Sequence, residues 1–387
     1  MSNANKSYDL AIIGAGIVGL SHALAATDAG LRICVIESDD RPSGASIRNF
    51  GMVWPVGMPP GEARAHALRS REIWLHVAPQ AGFDARAVGS LHLARHEDER
   101  AVLHEFMQRR ADGLHAEWLS PDEVARRYPG VRPDGLLGAM RAESELAIDP
   151  RHAIAAWADW LASRGVSFLW NTHAREAGQG FVQLADATRV EADHVVVCSG
   201  QDTRLLFPDV YERASVSRCK LQMLRLSAPA WRIGTHVAGG LTLRHYKAFE
   251  DCPTLPDLKQ RVARENPLYD RYGIHVMAAQ RADGTLVIGD SHEYDAAITP
   301  FDNATIEQMI LEYLARMLDV EGLHVVNRWH GIYAKRTDGQ WLVRACPTPG
   351  VTVVNALGGA GMTLAPAIAE ATIAALRAST PLQGLSI

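Results

Sequence analysis

Cysteine is scarce. Five residues in 387 (Cys34, Cys198, Cys219, Cys252 and Cys346) are scattered without any C-x-x-C spacing. An odd, dispersed set makes neither a disulfide framework nor a cysteine zinc site, and it suits the reducing cytoplasm expected for this chain. Dense basic runs are missing too. With a formal net charge of -5 and a pI near 6.3, no nucleic-acid partner is expected. No stretch approaches the roughly 20 apolar residues of a membrane helix, so no membrane partner is expected either. The first apolar run, "LAIIGAGIVGL", lacks the basic start of a signal peptide and reads as strand, turn and helix. There is no internal repeat and no low-complexity segment. The remaining picture is an ordinary globular composition, long enough for two packed cores.

What is present begins with "YDLAIIGAGIVGLSHALAATDAGLRICVIES". Asp9 to Ile13 reads as a buried strand and Gly14-x-Gly16-x-x-Gly19 as a turn. Val18 to Ala29 reads as a helix stopped by Gly30, and Arg32 to Ile36 as a second strand ending in Glu37. Gly14 permits the tight turn, Gly16 lets a pyrophosphate approach, and Gly19 lets helix and strand pack closely. Ile17 and Val18 open the helix whose N-terminus faces the phosphates. Glu37, followed by Ser38, lies at the distance expected of a ribose-binding acid, which disfavours NADP.

Two further glycine loops favour FAD over NAD. A small-residue loop, "SDDRPSGASIRNFG", follows Glu37. Near the C-terminus a strand leads into Gly358, Gly359, Ala360 and Gly361, then Met362, Thr363 and a helix from about Leu364. Such a turn offers backbone N–H groups and a positive helix end to a planar, electron-rich ring.

These segments together resemble the FAD-dependent amine and amino-acid oxidases of the D-amino-acid oxidase, glycine oxidase and sarcosine oxidase group. The resemblance covers nearly the whole chain. It rests on the N-terminal fingerprint, "GAS", "VVVCSG", "DGTLVIGDSHEYD", "WHGIYAKRTDG" and "GGAGMT". The strings "GASIRNFGMVWP" and "LRHYKAF" are similar to a subgroup found beside phosphonate-degradation genes, oxidases of N-methylated 2-aminoethylphosphonate.

The resemblance implies an α/β protein with an α+β second domain. A Rossmann-like FAD-binding domain (1–88, 148–219 and 325–387) would interleave with a mostly antiparallel-sheet substrate domain (89–147 and 220–324). "GSLHLAR", "LQMLRLS", "LTLRHYKAF", "IHVMAAQ" and "TLVIGDS" are the expected strands of that second sheet. It also implies non-covalent FAD, since Gly331 stands where sarcosine oxidases carry a flavin-bonded cysteine. FAD contacts are expected from Ser46, Arg48, Asn49, Gly51 and Met52, from Ala174, from Cys198, Ser199 and Gly200, from Ile332, and from the C-terminal turn. Arg48 bridges an FAD phosphate or a surface carboxylate, or faces the substrate or tunes the flavin.

The expected chemistry is hydride transfer from a carbon bearing an amine, followed by hydrolysis of the imine, with O2 as electron acceptor. Positioning and a dry site matter more there than acid–base groups. Met52, Tyr333 and His330 are the candidates beside the reacting atoms. Tyr333 stands where the amino-acid oxidases carry a carboxylate-binding arginine, so a different anion is expected. A phosphonate, with three acceptor oxygens, calls for converging donors. The candidates are Lys335, Arg336, Arg244, His245 and Tyr246, with Trp54 as an apolar wall. Strand alternation would turn Arg244 and Tyr246 inward. An amino-acid oxidase with its carboxylate anchor moved to Arg244 or Arg336 is the alternative. The same alternation splits Asp290, His292 and Glu293, so no metal site is expected. The oligomeric state has no sequence signal.

Overall fold

The computed structural model describes residues 7–109, 113–295 and 297–378. From Leu10 onward the Tyr8–Ile13 strand is buried on both faces, as a strand covered by helices on each side must be. It pairs in parallel with Ile33–Ile36 and with Arg189–Val197. Those two strands pair in parallel with Ser167–Leu169 and Val351–Asn355, respectively. Antiparallel strands at one edge and beside Val351–Asn355 complete an eight-stranded sheet.

Helix Ile17–Asp28 starts one residue before the expected Val18. Gly14 has φ +103, and a Cβ there would lie 2.3 Å from the Cys198 carbonyl oxygen; one on Gly19 would lie 1.8 Å from that of Gly14. Both glycines are therefore demanded by the chain's own backbone.

The C-terminal helix Gly361–Arg377 begins three residues before the expected Leu364 and packs against Ile17–Asp28 and Glu62–Ala81. One expectation is corrected here. Gly358–Arg377, of mean hydropathy 1.3, is long and apolar enough to cross a membrane. The fold uses it as a core helix, with ten of its residues buried, because two neighbouring helices cover its apolar face. The other expected helix, Pro150–Ser163, has Asp149 as its cap, Pro150 in its first turn, and Ile154, Trp157 and Leu161 buried.

The second sheet has nine strands, nearly all antiparallel. Ser90–Ala94, Val216–Leu226, Met277–Gln280 and Leu286–Gly289 fall on expected segments. "LTLRHYKAF" does not form a strand; it folds as two 3-10 turns, Gly240–Arg244 and Lys247–Phe249. Gly240, Leu241, Thr242 and Leu243 are all buried, and the Thr242 N–H donates to the Gly239 carbonyl at 3.0 Å, an i to i+3 bond that closes a turn. The Thr242 hydroxyl also donates to the Gly239 carbonyl at 2.7 Å, closing the turn locally.

Sheet pairing also shifts two expected boundaries. Val325–Arg336, expected in the nucleotide domain, runs antiparallel to Val216–Leu226 from Val216–Arg336 to Leu226–Val325. That partner strand itself starts before the expected border at residue 220. A small sheet of Met52–Val53, Ala85–Ala87 and Leu146–Ile148 stitches early and middle segments together.

Candidate active site

One cavity of about 610 Å³ is walled by both sheets, the loop after Glu37 and the C-terminal turn. The end beside the glycine turn, where the nucleotide is expected, is mostly main chain and small side chains. Gly14, Ile17 and Val18 line it, as do Ser38, Ala174, Cys198, Ser199 and Gly200. Ser46, Arg48, Asn49 and Met52 come from the loop, and Gly358, Gly359, Ala360, Gly361, Met362 and Thr363 from the C-terminal turn. Gly16, Gly19, Glu37, Gly51 and Ile332 are not on the wall.

The residues behind the wall hold it in shape. Glu37 accepts from the Ala15 N–H at 2.7 Å through one oxygen, and from the Ser38 hydroxyl (2.9 Å) and Asp39 N–H (3.1 Å) through the other. It thereby ties the glycine turn to the end of the second strand. Gly51 has φ +76, and a Cβ there would lie 1.9 Å from the Ile148 carbonyl oxygen. The close approach at Gly51 is to the small sheet.

The loop "GASIRNFG" lies over the helix N-terminus, where the Ser46 hydroxyl accepts from the Ile17 N–H at 2.9 Å. Asn49 folds the loop on itself, donating to the Ala45 and Ser46 carbonyls and accepting from the Gly51 N–H. Arg48 faces the cavity, and its guanidinium reaches the His330 carbonyl at 3.5 Å. Its own carbonyl accepts from the Trp329 indole at 3.2 Å, so the loop is held against Val325–Arg336.

The opposite end, where the substrate is expected, is built from larger side chains. Met52, Trp54, His245, Tyr246, Tyr333 and Lys335 line it. Burial raises the Tyr333 phenol well above its ordinary pKa, keeping it a neutral donor. Burial lowers Lys335, whose ammonium donates to the Tyr294 hydroxyl at 2.9 Å. Trp54 is buried against His92 and Tyr246, with ring centroids 5.4 and 6.1 Å away.

Three expected site residues lie elsewhere. Arg244 is ion-paired with Asp270 and donates to the Ile274 carbonyl, since a 3-10 turn has no inward-facing alternate side. Arg336 is tied to Asp338 and the Leu342 carbonyl. His330 bonds Asp302 at 2.8 Å, and Asp302 also pairs with the buried Lys220 at 3.0 Å.

Other lining residues had no assigned role: His275, His292, Asp290 and Asn355. Asn355 donates to the Gly200 carbonyl at 3.0 Å and fixes the turn after Val197. Asp290 and His292, two residues apart, both face the cavity and Glu293 does not, as alternation places them; His292 joins His245 and His275 within 4.8 Å. Nothing in their spacing, 30 and 17 residues apart, gave a motif.

A flavin dinucleotide suits this cavity on structural grounds. Helix Gly361–Arg377 has no side-chain cap and no acid in its first turn, and its first residues line the wall. Its N–H groups and positive end therefore face whatever fills that end. The glycine turn beside it is shaped by backbone approaches, at Gly14 to the Cys198 carbonyl and at Gly19 to the Gly14 carbonyl, that leave no room for a Cβ.

A family model described as FAD dependent oxidoreductase matches residues 9–375. An opine oxidase subunit from Rhizobium meliloti is 23% identical over 348 residues, covering 86% of this chain and 83% of the relative. Glycine oxidase of Bacillus licheniformis is 25% identical over 347 residues, with the same two coverages of 86% and 83%. Among solved structures, glycine oxidase from Geobacillus kaustophilus superposes with a TM-score of 0.78 at 21% identity. That superposition covers 98% of this chain and 97% of the other, so the two share a fold.

Proposed function

The chain belongs to the family of FAD dependent oxidoreductases, and from that premise we propose that it oxidises a small amine bearing a phosphonate. The substrate is N-methyl-2-aminoethylphosphonate. Its CH–NH bond loses a hydride and a proton, and water splits the imine to phosphonoacetaldehyde and methylamine. O2 takes the two electrons and becomes hydrogen peroxide. FAD, when bound, supplies the hydride acceptor.

The observation carrying this reading is the polar wall. Tyr333 occupies the position that holds a carboxylate-binding arginine in the amino-acid oxidases this sequence resembles. Beside it the cavity presents Lys335, Tyr246 and imidazoles. The residues of this chain then have three tasks. Met52 and Trp54 give an apolar surface that excludes water from the reacting carbon. Tyr333 and Tyr246, both kept neutral by burial, donate hydrogen bonds without adding charge. Lys335 meets the anionic end of the substrate.

Glycine oxidation is the second reading, favoured by the similarity to glycine oxidases. The anchors expected for it, Arg244 and Arg336, are both engaged by acids away from the wall. An amine panel decides between the two, following flavin bleaching without oxygen and peroxide with it. N-methyl-2-aminoethylphosphonate should exceed sarcosine and glycine in kcat/KM by about a hundredfold, the scale of a lost charge-assisted contact. Equal or better turnover of sarcosine would remove the phosphonate from the assignment.

A further inference from the structure

Three imidazoles meet on the substrate side of the cavity. His245 and His275 stack with ring centroids 4.1 Å apart, and His275 and His292 stack at 4.9 Å. His245 and His292 are 4.2 Å apart and tilted by 40°. His245 sits between the two 3-10 turns, His275 just before Met277–Gln280, and His292 just after Leu286–Gly289. One ring is held from behind, and a carboxylate lies beside another. His292 Nδ1 lies 3.0 Å from the Gly273 carbonyl, and His275 Nε2 lies 3.0 Å from the Asp290 carboxylate. The other His275 nitrogen, Nδ1, is buried without a hydrogen-bond partner.

Size and charge together choose between a metal ion and an oxyanion. Zinc at 2.0–2.1 Å from each imidazole needs nitrogens roughly 3.4 Å apart. The nitrogens of the three rings span up to 4.8 Å from one another. A tetrahedral oxyanion receiving charge-assisted hydrogen bonds is served by donors roughly 4–5 Å apart. Lys335 acts electrostatically on His245 and His292, and Arg244 on His245. Lys335 opposes a metal ion and favours an anion, whereas Arg244 is paired with Asp270.

We propose that His245, His275 and His292, with Lys335, form an oxyanion subsite that holds the phosphonate head and takes up a proton from solvent as the dianion enters. The inference rests on the phosphonate reading and deepens it. Without an anion, burial holds His292 down at about 4 and His245 well below its ordinary value, so both are neutral. The charges facing them are Lys335, Arg244 and Asp290; Tyr246 beside them stays neutral, and Lys247 bears on Lys335. A dianion among these rings favours their charged form, which raises their proton affinity.

The test is calorimetric titration of the FAD-loaded protein with methylphosphonate, which has no amine to oxidise. At pH 8, in two buffers of different ionisation heat, the difference counts protons. Uptake near one proton is expected, with affinity falling about tenfold per pH unit from 7.5 to 8.5. His275→Gln and His292→Gln should each weaken binding tenfold or more. A buffer-independent heat overturns the proposal without reference to any variant. So does stoichiometric zinc binding that both variants abolish, which would make the cluster a metal site. Methylphosphonate binding with proton uptake, without turnover of the phosphonate amine, keeps the subsite and sinks the substrate reading. Turnover of that amine, with methylphosphonate binding unaffected by either variant, does the reverse.

Discussion

The two ends of the cavity are made of different materials. At the nucleotide end the wall is largely main chain, and its shape depends on glycines whose missing side chains make room for other backbone. At the substrate end it is made of side chains (Trp54, Tyr333, Lys335 and three imidazoles) brought from segments up to about 280 residues apart, from Trp54 to Lys335. A main-chain wall tolerates almost no added atom at its contact points but carries little chemical choice. A side-chain wall can be re-specified one residue at a time, which is why the proposed substrate contacts fall there.

The largest expected effect tests the first half of that contrast. Gly19→Ala would put a Cβ 1.8 Å from the Gly14 carbonyl oxygen, inside the helix–strand contact. The variant should lose FAD and unfold at markedly lower temperature, since overpacking costs about 1–3 kcal/mol or more. Gly44→Ala, with nothing within 4 Å of its new Cβ, should behave as wild type. Similar thermal midpoints and flavin content in both variants would break the comparison.

Next in size is Glu37→Ala. It removes the acceptor of the Ala15 N–H and releases the turn from the second strand. FAD affinity should fall tenfold or more, on the scale of a hydrogen bond to a charged group. In FAD-saturated enzyme the ranking of amines should be unchanged. A changed ranking would mean that the two ends are coupled.

Acid should distinguish the ends more gently. Burial depresses His92 to about 3 and His236 to about 4 at the substrate end, and His22 to about 4 at the nucleotide end. A depressed folded-state pKa stabilises above the unfolded value of 6.5, and that contribution is lost as pH falls toward 4. Buried Glu145 is raised, so its contribution has the opposite sign, full below 4.5 and fading as pH rises. With His245 and His292 also depressed on that side, four imidazoles against one outweigh Glu145, and hydrogen exchange from pH 7 to 5 should show the nine-stranded sheet losing protection before the parallel strands. Loss in the reverse order would contradict this.

The smallest effect belongs to Arg244→Ala. Off the wall and paired with Asp270, it should change KM for the amine by no more than about twofold. Lys335→Met, on the wall, should raise KM by tenfold or more. Equal effects would place the anion outside the proposed subsite.

The sequence alone determined the nucleotide end and the fold class. A strand, a glycine turn, a helix and an acid are neighbours in the chain, and their packing constraints act over a few residues, so order and spacing express them directly. The boundaries it missed were those set by distant pairing, such as Val325–Arg336 joining the second sheet. Tertiary structure alone decided the substrate end. Whether "LTLRHYKAF" extends or coils depended on the turn bonds between Gly239 and Thr242, which outweighed its alternation. Arg244 and His245 exchanged their expected places with that change. His275 and His292 met His245 only because two strand ends and a turn converge. Such a convergence is fixed by packing between elements, which no local spacing records.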